Sequence, residues 1–301
     1  VDAGAWVSGL NGGMVDGEPP PVYVPLAVPL APSVPAELVE KDLGWSIVDV
    51  DHFVSWTSRP LTTTVVAGNL DDQTLAGLPE TRGISSAGTG PDLTGDLQQA
   101  SPVRPQGIPL RMAVDDEWLI ASPLTPVVKD WRNGSQRTLA DDPVLRDLAA
   151  VLDEAGAVSA MITPAKSLGQ AAPPQAVLEQ IREQGIGFAE FDTYAIGWTV
   201  EGHQPRFVVA YHTTGDTALA VDQIAARWEG VDFRGRDMSA FVEVTDIVAV
   251  RDIVVVAGKP APEEGGEVLK LKSEVSDLPF VSSSARDPRW WSGPDRASRR
   301  R

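Results

Sequence analysis

The sequence predicts an α+β fold built from two related β-α-β-β units, each an antiparallel sheet with helices packed on one face. The clearest evidence is residues 206–258, which read as a strand, a helix opened by Thr214-Gly215-Asp216, and two apolar strands. Residues 62–121 have the same order: a strand, a short helix at 71–78, and two strands. The repeated order predicts an internal duplication.

Residues 1–34 form a Pro/Gly-rich segment, which we interpret as an extended arm because proline lacks an amide donor and restricts φ. The next residues, 33–56, are predicted to be helical in two pieces. Pro35 suits a first helical turn and Gly44 suits a stop, while apolar residues within 47–54 follow near helical spacing. This region opens the first α+β unit.

The first unit is predicted to cover residues 35–163. Its strand at 62–67 is rich in β-branched residues, and Asn69 can cap the short helix that follows. A long Gly/Pro-rich loop precedes a hairpin at 108–122. A short helix at 125–132 follows, and then the clearest helix, with Asp142 as its cap and proline at the following position.

The second unit is predicted to cover residues 187–285, after a proline-containing connector at 164–186. A long hairpin turns at Gly202-His203, and an amphipathic helix follows it with apolar residues at i, i+3, i+4 and i+7. The last hairpin turns at Arg251-Asp252. The two units and their connector therefore account for the chain between the arm and its final residues.

The charge distribution separates residues 286–301, the basic aromatic tail, from the rest of the chain. The net charge is −17, yet the tail has six arginines and two aspartates, which leaves −21 on the other residues. An acidic body repels polyanions, so we expect no nucleic-acid partner. We expect the arm and tail to bind other protein subunits, either copies of this chain or different proteins. The candidate anchors are Trp6, Tyr23, Trp290, Trp291, Arg299, Arg300 and Arg301.

The sequence contains no motif typical of catalysis or of cofactor binding. It has no cysteine, and no pair of its three histidines has zinc-ligand spacing, so we expect neither a metal site nor a cofactor. The nucleophile motif Gly-x-Ser-x-Gly is absent. A candidate ligand site consists of polar side chains on two neighbouring predicted strands: Glu190, Asp192, Tyr211 and His212.

The segment Leu139-Ala140-Asp141-Asp142-Pro143, followed by an apolar helix, resembles a helix start in exported, often lipid-anchored bacterial proteins of unknown function. Residues 118–122 and 43–51 are similar to that family as well. The resemblance covers roughly residues 35–260 and implies an extracytoplasmic location in the cell envelope or outside the cell. It implies no activity and transfers no functional residue.

These observations favour a non-catalytic envelope or extracellular protein that acts as a structural or interaction subunit of a larger assembly. Two alternatives stay open. One is a small-molecule or metal-ion binding protein that uses the acidic loops. The other is a hydrolase that uses Glu190, Asp192 and His212. No apolar run approaches the length of a membrane-spanning helix, so we expect no membrane span.

Overall fold

The computed structural model describes residues 36–45, 50–58, 61–70, 73–116, 118–134, 139–164, 191–201, 204–230 and 237–261. Within these ranges lie four α-helices and eleven strands, arranged in two antiparallel sheets, so the predicted α+β class is confirmed. The chain divides into two compact units between Thr138 and Leu139.

The first unit contains a six-stranded sheet with the strand order β1-β2-β6-β5-β4-β3. Its elements are α1 (Ala36–Leu43), β1 (Val50–Ser58), β2 (Leu61–Gly68), β3 (Glu80–Thr81), β4 (Ile84–Ala87), β5 (Leu110–Asp115), β6 (Trp118–Ser122) and α2 (Thr125–Arg132). Asp115 at the end of β5 pairs with Trp118 at the start of β6, and Asp116 in the turn between them takes a positive φ of 52°.

Both faces of the first sheet carry a core. Val39 and Leu43 of α1 pack with Leu119 on one face, whereas Val128 of α2 packs with Ile120 on the other. Leu119 and Ile120 are consecutive residues of β6, and alternation along a strand sends them to opposite faces. Helices therefore lie on both faces of this sheet, whereas the sequence analysis placed them on one.

The second unit contains a five-stranded sheet with the order β10-β11-β9-β8-β7. Its elements are α3 (Pro143–Glu154), β7 (Ser159–Pro164), β8 (Phe191–Glu201), β9 (Gln204–Thr213), α4 (Thr217–Trp228), β10 (Val242–Val250) and β11 (Ile253–Pro260). The Asp142 carboxylate accepts hydrogen bonds from the Val144 and Leu145 amides, and Asp216 caps α4 in the same way. Both helices thus begin at an aspartate, as N-cap preferences predict.

Two helices sandwich the second sheet. Leu148 and Leu152 of α3 pack on one face, against Ala210 and neighbouring residues. We call this the α3 face. On the opposite face, Trp228 of α4 stacks on Phe207 of β9, with ring centroids 5.5 Å apart. The central strand β9 is consequently buried on both sides through most of its length.

Two elements of the first unit differ from the sequence analysis. Residues 50–58 form β1 instead of a second helical piece, because His52, Val54 and Trp56 alternate with other residues and pair across β2. The described residues 73–78 of the predicted short helix form a turn. With that helix missing, the duplication of β-α-β-β units is not confirmed. The two sheets do share one feature: the last strand of each unit pairs with the second strand of an earlier hairpin, β6 with β2 and β11 with β9.

The division between units lies earlier in the chain than the connector proposed from the sequence. Strand β7 pairs with β8, and α3 packs on β8 and β9, so residues 139–164 belong with the second sheet. The proposed connector, residues 165–186 in particular, lies outside the described ranges. Within those ranges, no helix has the length and hydropathy needed to cross a membrane.

Candidate functional site

The most distinctive polar cluster in the second unit surrounds His212, near the end of β9. The imidazole Nδ1 lies 2.8 Å from Oδ1 of Asp192, and Nε2 lies 3.2 Å from Oδ2 of Asp252. The His212 side chain is 15% exposed, compared with 40% for Asp192 and 55% for Asp252. The ring is therefore held between two carboxylates that remain open to solvent on their outer sides.

A β-bulge brings Asp192 to the histidine. Phe191 pairs with Thr213 and Thr193 pairs with His212, so Asp192 is the extra residue between two ladder positions. A bulge redirects a side chain that regular alternation would send elsewhere. The local irregularity in β8 thus provides the first partner of His212.

The β10–β11 turn provides the second partner. The Thr213 amide and hydroxyl each donate a hydrogen bond of 2.7 Å to the main-chain oxygen of Asp252. Because Ile253 pairs with His212, this anchored turn holds the Asp252 carboxylate beside the ring. Asp252 was not among the residues predicted from the sequence, since only the pairing of β11 with β9 brings it to His212.

In this arrangement, His212 is poorly placed to activate a nucleophile. A general base requires one ring nitrogen available for a substrate or nucleophile. In the cluster, both nitrogens of His212 face a carboxylate, and the nearby Thr213 hydroxyl is buried and lies 3.0 Å from the Thr217 hydroxyl. Among the described residues, no group of three or more acidic or histidine side chains could hold a metal ion.

Tyr211 does not join this cluster, although the sequence analysis grouped it with His212. Successive strand residues point to opposite faces, and Tyr211 is fully buried on the α4 face, where its ring meets Phe191 edge-on at 5.4 Å. Burial raises the pKa of the Tyr211 hydroxyl well above its ordinary value, and burial also raises the pKa of Tyr194. Both tyrosines belong to the core.

The other predicted functional residues fall outside the described ranges. Glu190 of the ligand site is among them. The predicted partner-binding residues are as well: Trp6, Tyr23, Trp290, Trp291, Arg299, Arg300 and Arg301. Of the four predicted ligand-site residues, the structure therefore brings together Asp192 and His212.

An apolar surface lies beside the histidine cluster on the α3 face. Val250, Ile253, His212 and Thr193 form one row across four paired strands, and directly paired residues share a face. Helix α3 packs over β7, β8 and β9. On the outer strand β10, Val248 and Val250 each remain 41% exposed. We call these valines, together with the flanking Asp246 and Asp252, the β10 surface.

The first unit holds two largely buried ion pairs. Arg104 forms hydrogen bonds of 3.0 and 2.8 Å with the two carboxylate oxygens of Asp42. Arg111 lies 2.9 Å from Asp92, whose carboxylate also accepts hydrogen bonds from the amide and hydroxyl of Thr125. These pairs fasten loop residues to α1, β5 and the start of α2, so we interpret them as structural.

The chain matches no known protein family, no curated protein and no solved structure.

Proposed function

We propose that this protein is a non-catalytic subunit of an envelope or extracellular assembly, which binds other protein subunits through its arm, its tail and the outer edge of β10. The observation that carries the proposal is the pair of exposed valines on that edge strand. The extracytoplasmic location rests on the resemblance of the helix-start segment and is tested separately by cell fractionation.

The second half of β10 lacks the features that usually protect an edge strand. Proteins guard such edges with bulges, charges, prolines or very short strands. The first half of β10 has a bulge between Val244 and Asp246, and Glu243 pairs with Lys259 at 3.0 Å. The second half, residues 247–250, contains neither charge nor proline. No described strand pairs with its outer side. It is suited to accept an added strand.

The other described edges are less suited to this role. Strand β3 has two residues, and β7 ends at Pro164. Strand β1 carries an exposed valine, Val54, but its same-face neighbours are His52 and Trp56, and Trp56 packs against the α2 core. Two exposed valines on one face of β10 therefore offer the more continuous apolar contact.

The test replaces both valines by serine and measures association of the full chain by sedimentation at several concentrations. We expect the Val248→Ser/Val250→Ser variant to associate more weakly than the parent. The matched control is Leu219→Ser, because Leu219 is 54% exposed on α4 in the same unit. Equal association of the parent, the double variant and the control would overturn the role of the β10 edge.

A hydrolase is the second candidate, and the 2.8 Å contact between Asp192 and His212 favours it. An aspartate that orients a histidine is part of many hydrolytic sites. Against this function, Asp252 occupies the side of the ring that would serve a nucleophile. Hydrolysis of a panel of simple esters and glycosides that disappears in His212→Gln would support the hydrolase.

The binding-protein alternative predicts a higher melting temperature with a divalent cation at millimolar concentration.

A further inference from the structure

We infer that the β10 surface receives the basic aromatic tail, residues 286–301, of a neighbouring copy of this chain. This inference rests on the proposed function, because it names the segment that joins one subunit to the next. Its basis is the charge and apolar character of the surface, the composition of the tail, and the length of chain between them.

The surface combines apolar contact with negative charge. Val248 and Val250 stand two residues apart on one face, and the exposed Asp246 precedes them on the same strand. The half-exposed carboxylate of Asp252 lies at the other end, beside the His212 cluster. Arg251, in the same turn, carries a positive charge that opposes the attraction of a basic segment. A complementary segment would bring an aromatic ring to the valines and arginines to the carboxylates.

The tail has that composition. Its net charge is +4, and it contains Trp290 and Trp291 side by side. Pro288 and Pro294 bound five residues, 289–293, that each carry an amide donor. That length matches residues 246–250, which follow the bulge in β10. Because side chains alternate along a strand, adjacent tryptophans in an added strand send one ring to each face of the sheet.

The proline-rich arm fits the same surface poorly. Residues 1–34 contain two aspartates and a glutamate and no lysine or arginine, so the arm would be repelled by the carboxylates. Its apolar part, residues 22–28, is interrupted by Pro25, and a proline cannot donate to a strand ladder. Charge and backbone chemistry both select the tail as the occupant.

The connecting chain is long enough for the tail to reach a second molecule. Residues 261–285 separate the end of β11 from the tail, and 25 extended residues span at most about 80–90 Å. Two bodies that each carry −21 repel each other, and a +4 segment supplies attraction between them. When the tail of each copy binds the β10 surface of the next, the interface is heterologous. Repetition of such an interface builds rings or filaments.

Förster resonance energy transfer between two labelled populations of the full chain tests this inference. The protein has no cysteine, so single substitutions allow specific labelling. One population carries a donor dye through Ser284→Cys, just before the tail. The other carries an acceptor through Ala226→Cys, an exposed position on α4, which packs against β10. Energy transfer on mixing is expected when the tail of one copy docks on the other, and variants of the β10 surface separate this docking from other contacts between copies.

The valines and carboxylates are then varied in the acceptor population alone. We expect Val248→Ser/Val250→Ser to weaken docking about tenfold, because the tail covers the two-fifths of each valine that is exposed. Asp246→Asn/Asp252→Asn should weaken docking and reduce its salt dependence. The controls are Leu219→Ser and Asp222→Asn, which remove exposed groups of the same kinds from α4. A synthetic peptide of residues 286–301 should compete.

Three outcomes overturn the inference: no transfer on mixing, transfer that the valine variant and its control reduce equally, or transfer found only within a doubly labelled single chain. Failure of the proposed function is a separate result. If the full chain self-associates without transfer, the tail inference fails while the assembly function stands. If the full chain is monomeric at every concentration and shows no transfer, both fail.

Discussion

Removing the charge of Arg111 should destabilise the first unit far more than removing an exposed arginine. The Arg111 side chain is 11% exposed and its partner Asp92 is 25% exposed. Besides Asp92, Arg111 donates hydrogen bonds to the Ser86 hydroxyl and the Gly90 main-chain oxygen. Breaking a buried ion pair from one side costs about 3–5 kcal/mol. Because Asp92 keeps some contact with water, we expect about 3 kcal/mol for Arg111→Met.

A double-mutant cycle separates this pair from general packing. Asp92→Asn alone leaves the buried guanidinium without its counter-charge, whereas Arg111→Met/Asp92→Asn removes both charges. The double variant should therefore cost less than the sum of the single variants, by about 1–3 kcal/mol. The exposed Arg146 supplies the control: its side chain is 60% exposed, and Arg146→Met should cost about 0.5 kcal/mol or less.

The assay is amide hydrogen exchange of β5 and β6, read as a free energy of opening, because a chain of two units does not guarantee a single unfolding transition. Protection in these strands should fall in Arg111→Met and stay near the parent value in Arg146→Met. Equal protection in the two variants would refute the interpretation of a coupled buried pair. So would a double-mutant cycle in which the free-energy costs of Arg111→Met and Asp92→Asn add up to the cost of the double variant.

Three further predictions concern pH, a glycine and the aromatic core. Burial pushes the pKa of Asp92 upward, but hydrogen bonds from Thr125 and Arg111 outweigh it and lower the pKa below its ordinary value. Asp92 therefore stabilises the first unit above about pH 4, and its contribution is lost as pH falls through the folded-state pKa; Asp92→Asn should flatten this acid-side loss of exchange protection. Gly107→Ala should cost over ~2 kcal/mol in urea unfolding, since an added Cβ would lie 1.8 Å from the Asp96 main-chain oxygen at a φ of +63°, whereas Gly77→Ala, in open space, should be nearly neutral. Phe207→Ala should cost about 3–5 kcal/mol of the second unit's unfolding free energy, because the ring is 1% exposed and stacked on Trp228; a cost below ~1 kcal/mol would contradict its role in the core.

Local signals in the sequence predicted the starts of α3 and α4, although the sequence analysis placed α3 in the first unit. Asp142 followed by proline marks the start of α3, and Asp216 marks the start of α4. Each signal lies within a few residues of the element that it starts, so no long-range information was needed. The β5–β6 and β10–β11 hairpins were likewise indicated by apolar runs that flank a short polar turn.

The first unit shows where local signals are insufficient. Apolar residues near helical spacing favoured a helix across residues that form β1, yet His52, Val54 and Trp56 also alternate with period two. Pairing with β2 decides between the two patterns, and that pairing is a tertiary interaction. Asn69 and the acidic residues after it resembled a helix start, but the described residues that follow form a turn.

The candidate site was partly predictable. Alternation along β9 alone separates Tyr211 from His212, so the tyrosine could have been assigned to the opposite face from the sequence. Bringing Asp192 to the histidine requires the bulge in β8, and bringing Asp252 requires the strand order that places β11 beside β9. Neither feature has a local signature in the sequence.

The mass of the protein in solution, measured by light scattering, tests the proposed assembly most directly. The full chain is compared with a version that lacks residues 1–34 and 286–301, at matched concentrations. We expect a multiple of the 32.1 kDa chain mass for the full protein and a monomer after trimming. A full-length protein that is monomeric at every concentration, or an assembly that trimming leaves unchanged, would contradict the proposed assembly.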